Sequence, residues 1–562
     1  MTEQAANRTG VGASWLPLLV VVLTQIQASF SINALTVSMT PITRELDTPP
    51  TSVGTAITAG TFAMAAFILL GAKVGSRFGT RIVFQIAVGV HAGAMALVAL
   101  SVSPAMLFVA QAMSGAVIAL VAPALTVFIA TNYHGTAQAK AIGFLAAAIP
   151  LAGVLALLIA GLFAETIGWR WSFWLMVALG ILNLLLSFGV KPVAPQRDLA
   201  IDWTGAIIAA IAIIMLSFGF SGLNAWGLWS ATESAPFSVF GVSPAPLLLI
   251  GGVLFGQLFF VWIGARQRAH TSRIFDLRVL ATRTELAVTA CMSTMLFVGT
   301  GANFLIPLYM QVVQGFTGIQ TSFSVIPYTL SIFLSSTFVA YLYRFLPPRV
   351  LGAVGFVVVA GALTLLAFTI RGEWGQALVV TGLVLLGIGQ GSIVALVFNT
   401  LLSAAPKQLA GDVGAWRGLV HNTSGAAGIA VASALAVGLL SGTLLTQAHD
   451  HPEISPELIS EVNFNDVDFM TNAQLEAALA DAGRPEAEVQ AAIDINEDAR
   501  LLSLKISLLA LAGLAVLAII PATRMPGRIS GELPERLEPD DPDDVDEDVP
   551  LNPAAATDGA KA

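Results

Sequence analysis

Long apolar runs broken by short polar links set the pattern of this chain. A helix crossing about 30 Å of hydrocarbon needs roughly 20 apolar residues at 1.5 Å rise each. Residues 15–39, 53–72, 82–101, 104–129, 141–164, 171–190, 203–222, 246–265, 286–310, 319–343, 350–370, 376–399, 417–441 and 501–521 all meet that length. The pattern predicts an all-α membrane protein with 14 transmembrane helices. The first run follows the polar stretch MTEQAANRTGVGASW and is much longer than the apolar core of a cleaved leader. It reads as a retained first span.

Two stretches depart from the pattern. Residues 446–500 are polar and carry short helix signals: Thr471 with Gln474 three positions on, Gly483 as a stop, and Pro485 just inside the next start. They predict a small helical cap on the extracytoplasmic side, a surface through which an envelope-protein partner is conceivable. Residues 530–562, with GELPERLEPDDPDDVDEDVP, combine acid and proline and predict a disordered tail.

Composition sharpens this. The chain is 56% apolar and 11% charged with mean hydropathy +0.81, against about 25% charged in soluble proteins. Of the 35 acids behind the net charge of -9, 13 lie in 446–500 and 11 in 530–562, so the acidity says little about a ligand. No nucleic-acid partner is expected. Cys291 is the only cysteine, which rules out an intramolecular disulfide and a cysteine metal cluster; neither a metal nor a cofactor is expected. Cytoplasmic links retain Lys and Arg, and placing both termini inside puts 20 of the 26 on that side. An even number of crossings follows.

The link GAKVGSRFGTR, residues 71–81, holds three cations, no anion and three glycines, and is read as a cytoplasmic loop between spans 2 and 3. Its segment SRFGTRIVF is echoed by YRFLPPRVLG at 343–352. The echo divides the chain into a cytoplasmic N-terminus 1–14, a six-helix bundle 15–190, a linker 191–284 carrying two extra helices, a second bundle 285–521 and a cytoplasmic tail 522–562. Repeated halves of this kind are usual in secondary transporters.

With these motifs the chain resembles the major facilitator superfamily, and within it the fourteen-spanning drug:proton antiporters, as a divergent member. The link is similar to that family's G-x-x-x-D-R-x-G-R signature through Gly71, Gly75, Arg77, Gly79 and Arg81, with Ser76 in place of the acid. In span 4, Gln111 stands where the family pattern has an embedded arginine, and span 5 resembles the antiporter motif through Gly143, Pro150 and Gly153. The segments 304–330 and LLGIGQGSIVALVFNTLLSAAP resemble later signatures, while the first span has SFSINALTVSMTP and no Asp. The resemblance implies two six-helix bundles, two extra helices between them, alternating access, and residence in a bacterial cytoplasmic membrane. It makes the 71–81 link a latch that helps set which side is open, rather than only a positive anchor.

Polar neutral residues inside spans are costly unless paired or wet. Gln25, Asn33, Gln111, Asn303, Gln311, Gln390, Asn399 and Asn422, with the aromatic Phe30, are the candidates for a substrate cavity; Gln25 and Asn33, eight apart, share a helix face. Such a largely uncharged cavity suits hydrophobic or amphipathic compounds; anion carriers need buried Arg or Lys, which the spans withhold. Candidate proton-coupling groups are His421, Glu165, Asp202 and Glu285, with His91 behind them. The expected function is export of drugs or lipid-like metabolites, with protons as a candidate exchange partner. An alternative is a carrier-derived membrane scaffold for envelope lipid assembly. No nucleophile–base set or phosphate loop points to an enzyme, since GIGQGS at 387–392 lacks the strand-to-helix setting and the Lys.

Overall fold

In hydrocarbon every backbone N–H and C=O must be paired within the protein, and apolar runs of this length meet that demand as helices. The computed structural model describes residues 15–133, 135–197, 200–227, 229–232, 235–269, 271, 274–342, 345–371, 377–404, 410–461 and 469–526. The N-terminus 1–14 and the acidic tail lie outside the described residues.

The first half comprises α1 (Leu16–Val37), α2 (Met39–Glu45), α3 (Pro50–Phe78), α4 (Thr80–Ala99), α5 (Pro104–Asn132), α6 (Gly135–Thr166) and α7 (Arg170–Ser187). A pair, α8 (Trp203–Ala225) and α9 (Pro244–Arg268), follows. The second half comprises α10 (Arg283–Leu308), α11 (Gly318–Leu342), α12 (Pro348–Thr369), α13 (Ala377–Ala404) and α14 (Ala410–Asp450). It ends with α15 (Pro456–Glu461), α16 (Asn472–Asp481), α17 (Glu486–Leu517) and α18 (Ile519–Ala522). Among the described residues twelve helices are long and apolar enough to cross a membrane, and Leu151–Thr166 within α6 is a shorter apolar helix. By this measure the described residues give twelve spans and one shorter apolar helix in place of the predicted fourteen.

Three predicted boundaries move. Residues 71–81 are not a loop, because α3 runs through Phe78 and Gly79 alone, at φ 99°, turns the chain into α4. Lys73 and Arg77 are good helix formers, and Arg77 lies in the last turn, where a cation complements the helix dipole. Only Gly79 requires a backbone that other residues avoid. Next, α14 begins at Ala410 and runs to Asp450, and α17 begins at Glu486, so both ends of segment 446–500 are continuous with long helices. Within it Thr471 and Gln474 form the capping box, Gly483 turns at φ 69°, and Pro485 is the N-cap rather than the first helical residue.

The halves meet along two seams, α3 against α14 and α6 against α11, and α8 packs on both members of the first. Counting crossings, α1 starts and α17 ends at one end of the bundle, called here the termini end; the segment around α15 and α16 marks the opposite, cap end. Inside a half the helices touch through glycine. A Cβ on Gly115 of α5 would overlap the Gly60 carbonyl of α3, and one on Gly71 would overlap the Ala119 carbonyl. Without a hydrophobic drive in lipid, such close approach is how helices gain packing energy. At the cap end Glu45 pairs with Arg170 and accepts from Trp169 Nε1 at 2.7 Å, while Arg170 Nη2 donates to the Ser101 carbonyl at 2.8 Å.

Two predictions follow from these contacts. Gly115→Leu lowers stability by about 1–3 kcal/mol through overpacking, whereas Gly93→Ala, with open space around it, leaves the melting midpoint unchanged or raised; scanning fluorimetry in detergent checks both. Partial burial acts to raise the Glu45 pKa, but the bonds from Arg170 and Trp169 outweigh it and hold the carboxyl below its ordinary 4.5. The folded chain then binds this proton more weakly than the unfolded chain, so the contribution is whole above pH 4.5 and fades as pH falls through the folded value. Glu45→Gln should flatten the acid side of the melting profile; an unchanged acid slope would remove Glu45 from the account.

Candidate functional site: a cleft between the halves

On α1, residues Gln25, Ser29 and Asn33 form a half-buried line one turn apart. Gln25 Nε2 donates to Ser29 Oγ at 3.1 Å, and Asn33 Nδ2 donates to the Ser29 carbonyl at 2.8 Å. The opposite face is packed: Gln27 Nε2 donates to the Met176 carbonyl of α7 at 3.2 Å, and Phe30 is buried in the main apolar core.

On α14, positions 414, 417, 421, 425, 428 and 432 fall on one face by helical spacing. Its part toward the cap end is closed on α10: Thr300 Oγ1 donates to the Gly425 carbonyl at 2.7 Å, and a Cβ on Gly428 would overlap the Phe297 carbonyl. Toward the termini end the same face opens, and Gly414, Arg417 and His421 are exposed. The α10 stripe opens with it, from half-buried Phe297 and Ser293 to exposed Ala290 and to Leu286 at 53%. Gly418, beside Arg417, packs on Ile68 of α3, and Leu419 packs in the cluster shared with α3 and α8. Arg417 and His421 lie on the exposed part of this face, next to the contact of Gly418 with α3. We read the opening of α10 and α14 beside α3 as a cleft that widens toward the termini end.

The cap end is sealed by bonds between the halves. After Pro307, α10 passes into a π-helical turn, Tyr309–Val313, a local irregularity common at functional sites. It aims Gln311 at α1 and α2. Gln311 Oε1 accepts from Thr40 N at 3.2 Å and Thr40 Oγ1 at 2.8 Å, and Nε2 donates to the Thr36 carbonyl at 3.3 Å. Along the other seam Ser322 Oγ donates to the Leu157 carbonyl, and Glu165 Oε1 accepts from Ile319 N at 3.1 Å. Arg500, 1% exposed, fastens the cap segment to the π turn. Its Nη1 donates to the carbonyls of Val312 at 3.2 Å and Met470 at 2.7 Å, and its Nη2 donates to Asn472 Oδ1. Sequence reasoning counted Arg500 among loop charges; a lone Arg at the head of an apolar run was the signal for a buried clip.

The other named residues are dispersed. Gln111 is buried beside Gly60, and His91 shares a hydrogen bond with Ser114 Oγ at 3.0 Å. Gln390 Oε1 accepts from Tyr328 Oη at 2.8 Å; Asn303 is half-buried on α10; Asn422 Nδ2 donates to the Gly418 carbonyl of its own helix at 2.7 Å. The side chain of Asn399 lies outside the described residues. Asp202 and Glu285 cap helix starts: Asp202 accepts from Gly205 N at 2.9 Å and from Trp262 Nε1, and Glu285 completes a capping box with Thr282. Arg81 Nη2 donates to the Phe188 carbonyl at the end of α7 at 2.6 Å, and the Ser76 carbonyl accepts from Gln196 N at 2.8 Å. Gly75 has open space, Gly153 makes an ordinary contact with Thr329, and Gly143 and Pro150 lie along α6.

Two helical halves joined by flanking seams, with a cleft between them, define a membrane carrier. The sequence profile of the Major Facilitator Superfamily matches residues 21–429, and the chain belongs to that family. It is a transporter, not an enzyme. It is 27% identical over 423 residues to the cephamycin export protein of Amycolatopsis lactamdurans, covering 72% of this chain and 81% of that one. It is 22% identical over 426 residues to the tetracenomycin C resistance and export protein of Streptomyces glaucescens, covering 75% and 76%. Among solved structures, a bacterial homologue of the human lysosomal transporter Spinster, inward-facing and occupied, superposes with TM-score 0.60 at 15% identity, covering 92% of this chain and 98% of that one.

The seal and the clip are open to test. Cys291 is the only cysteine and is buried, so Ser29→Cys in a Cys291→Ser background is a clean reporter. An impermeant maleimide should label it faster from the termini end than from the cap end, and Gln311→Ala should narrow the difference. Arg500→Leu leaves buried carbonyls unpaired, a loss of about 1.5–3 kcal/mol, and limited proteolysis should then cut the 446–500 segment faster.

Proposed function

We propose that the chain exports hydrophobic or amphipathic small molecules by alternating access, taking them from a cleft that faces the cytoplasm. The observation that carries this reading is the asymmetry of the joint: hydrogen-bonded shut at the cap end, open along α10 and α14 at the termini end. The similarity to the cephamycin and tetracenomycin C export proteins supports the direction and the substrate class. Counting α6 and α11 as spans gives fourteen crossings, and the Lys and Arg bias favours both termini in the cytoplasm of a bacterial inner membrane. The α1 line of Gln25, Ser29 and Asn33 supplies sparse hydrogen bonding for an amphipathic guest. Where the substrate path carries a proton, His421 is the coupling group, because it lies exposed in the cleft beside Arg417, whereas Asp202 and Glu285 are committed to helix caps.

In proteoliposomes with an imposed pH gradient, a lipophilic dye should accumulate with the native chain, and His421→Ala should remove most of the gradient-driven part. Accumulation indifferent to the gradient would reject exchange for protons. Absence of transport for every dye in a broad panel would reject export.

A further inference from the structure

Inside a span a threonine hydroxyl ordinarily donates to the carbonyl one turn back in its own helix. Thr61 Oγ1 donates to the Ile57 carbonyl at 2.8 Å, Thr300 Oγ1 to that of Leu296 at 2.9 Å and Thr400 Oγ1 to that of Leu396 at 2.8 Å. Thr58 of α3 departs from this habit. It is 1% exposed, and its Oγ1 has no hydrogen-bond partner among the described residues. On α8, one turn before that helix ends at Ala225, the Ser221 Oγ is covered and equally unpartnered. Both side chains line one small recess, and Thr55 of α3 and Ser433 of α14 complete its polar wall. Two unpartnered hydroxyls on different helices around the same space are a feature that neither the cleft nor the seal explains.

Three parts of the fold meet at this recess: the first half through α3, the second through α14 and the inserted pair through α8. Toward the termini end it is bounded by apolar packing. Phe62, one turn past Thr58, stacks on Phe220 with centroids 6.1 Å apart, and Ala426 and Ala427 of α14 join the same cluster. Among the described residues no charged side chain lines the recess, so a bound ion would be left uncompensated. Its guest is therefore neutral, able both to donate and to accept, and small. An unpaired buried hydroxyl is costly, a bonded water removes that cost, and a buried water typically makes about three hydrogen bonds. We propose that the recess is a binding site for water, held jointly by Thr58 and Ser221, and that this water bridge ties the inserted pair to the α3–α14 seam. The α8 helix thereby holds the seam through a polar bridge as well as through the apolar cluster beside it.

The sign of one conservative substitution separates a wet recess from a dry one. Thr58→Val keeps the shape of the side chain and removes its hydroxyl. With water bonded there, the melting midpoint of the purified full chain should fall by about 1–3 °C. In a dry recess the same change relieves an unpaired hydroxyl, so a midpoint unchanged or raised overturns the site. Ser221→Ala should lower the midpoint as well, and the double variant should lose less than the two single losses together, because either substitution breaks the shared bridge; additive losses overturn the joint holding. If Thr58→Val fails to fold, the hydration of the native chain decides. X-ray radiolysis in isotope-labelled water should oxidise Ile429, which lines the recess, faster than Ile213 in the neighbouring apolar cluster, although the two are 8% and 5% exposed. Equal rates overturn the water site.

Discussion

Direct contact between helix backbones is the constraint on which this architecture rests. Inside lipid, burying one apolar side chain against another gains little over leaving it in hydrocarbon, so cohesion comes from close approach and hydrogen bonds. The α3–α5 pair reaches that closeness because Gly60, Gly71 and Gly115 present no Cβ to the carbonyls opposite, and α10 and α14 repeat the arrangement at Gly428. Each half is thereby a stiff body. Stiffness is what allows a shift at one end of a half to be felt at the other.

Across the seams glycine contacts recur, Gly161 against Ser322 and Gly418 against Ile68, and side-chain hydrogen bonds join them. Gln311 with Thr36 and Thr40, Glu165 with Ile319 N, and Ser322 with the Leu157 carbonyl are single hydrogen bonds, each worth about 0.5–1.5 kcal/mol net. Their sum is a few kcal/mol, the scale on which differential binding of a ligand shifts a two-state equilibrium. On the export reading proposed above, the molecule therefore opens at this joint. Arg500 ties the cap segment to the same π turn that carries Gln311.

Much of this was legible in the chain. Span lengths, the two polar interruptions, the capping box at Thr471 and the shared face of Gln25 and Asn33 all follow from periodicity and turn chemistry. Other features were not, each for a physical reason. The 71–81 link reads as a loop because three glycines and three cations are loop-like in composition, yet Lys and Arg extend a helix readily and only Gly79 needs a special backbone. The ends of α14 and α17 were misplaced because a span was equated with its apolar part, whereas a helix continues into water as long as its residues allow. That error set Arg417 at a membrane edge and Arg500 in a loop, and so hid both. Asp202 and Glu285 stand at span ends and were candidates for a proton if their helices reached inward; a carboxylate at a helix start is already spent on backbone N–H groups.

The neutral glutamines complete the picture. Gln111 on α5 sits against Gly60, and Gln390 on α13 sits against Gly299. Both are buried, and among the described residues the Nε2 of each has no hydrogen-bond partner. An unpaired buried amide donor costs about 1–3 kcal/mol, far less than an unpaired charge in the same place. Replacing an embedded arginine by Gln111 keeps a polar group at the core of the half at modest cost. The interior charges that remain are tied down by hydrogen bonds, as Arg500 is by the carbonyls of Val312 and Met470. In a greasy bundle of this kind, a charge stands where hydrogen-bond partners or solvent meet the cost of its burial.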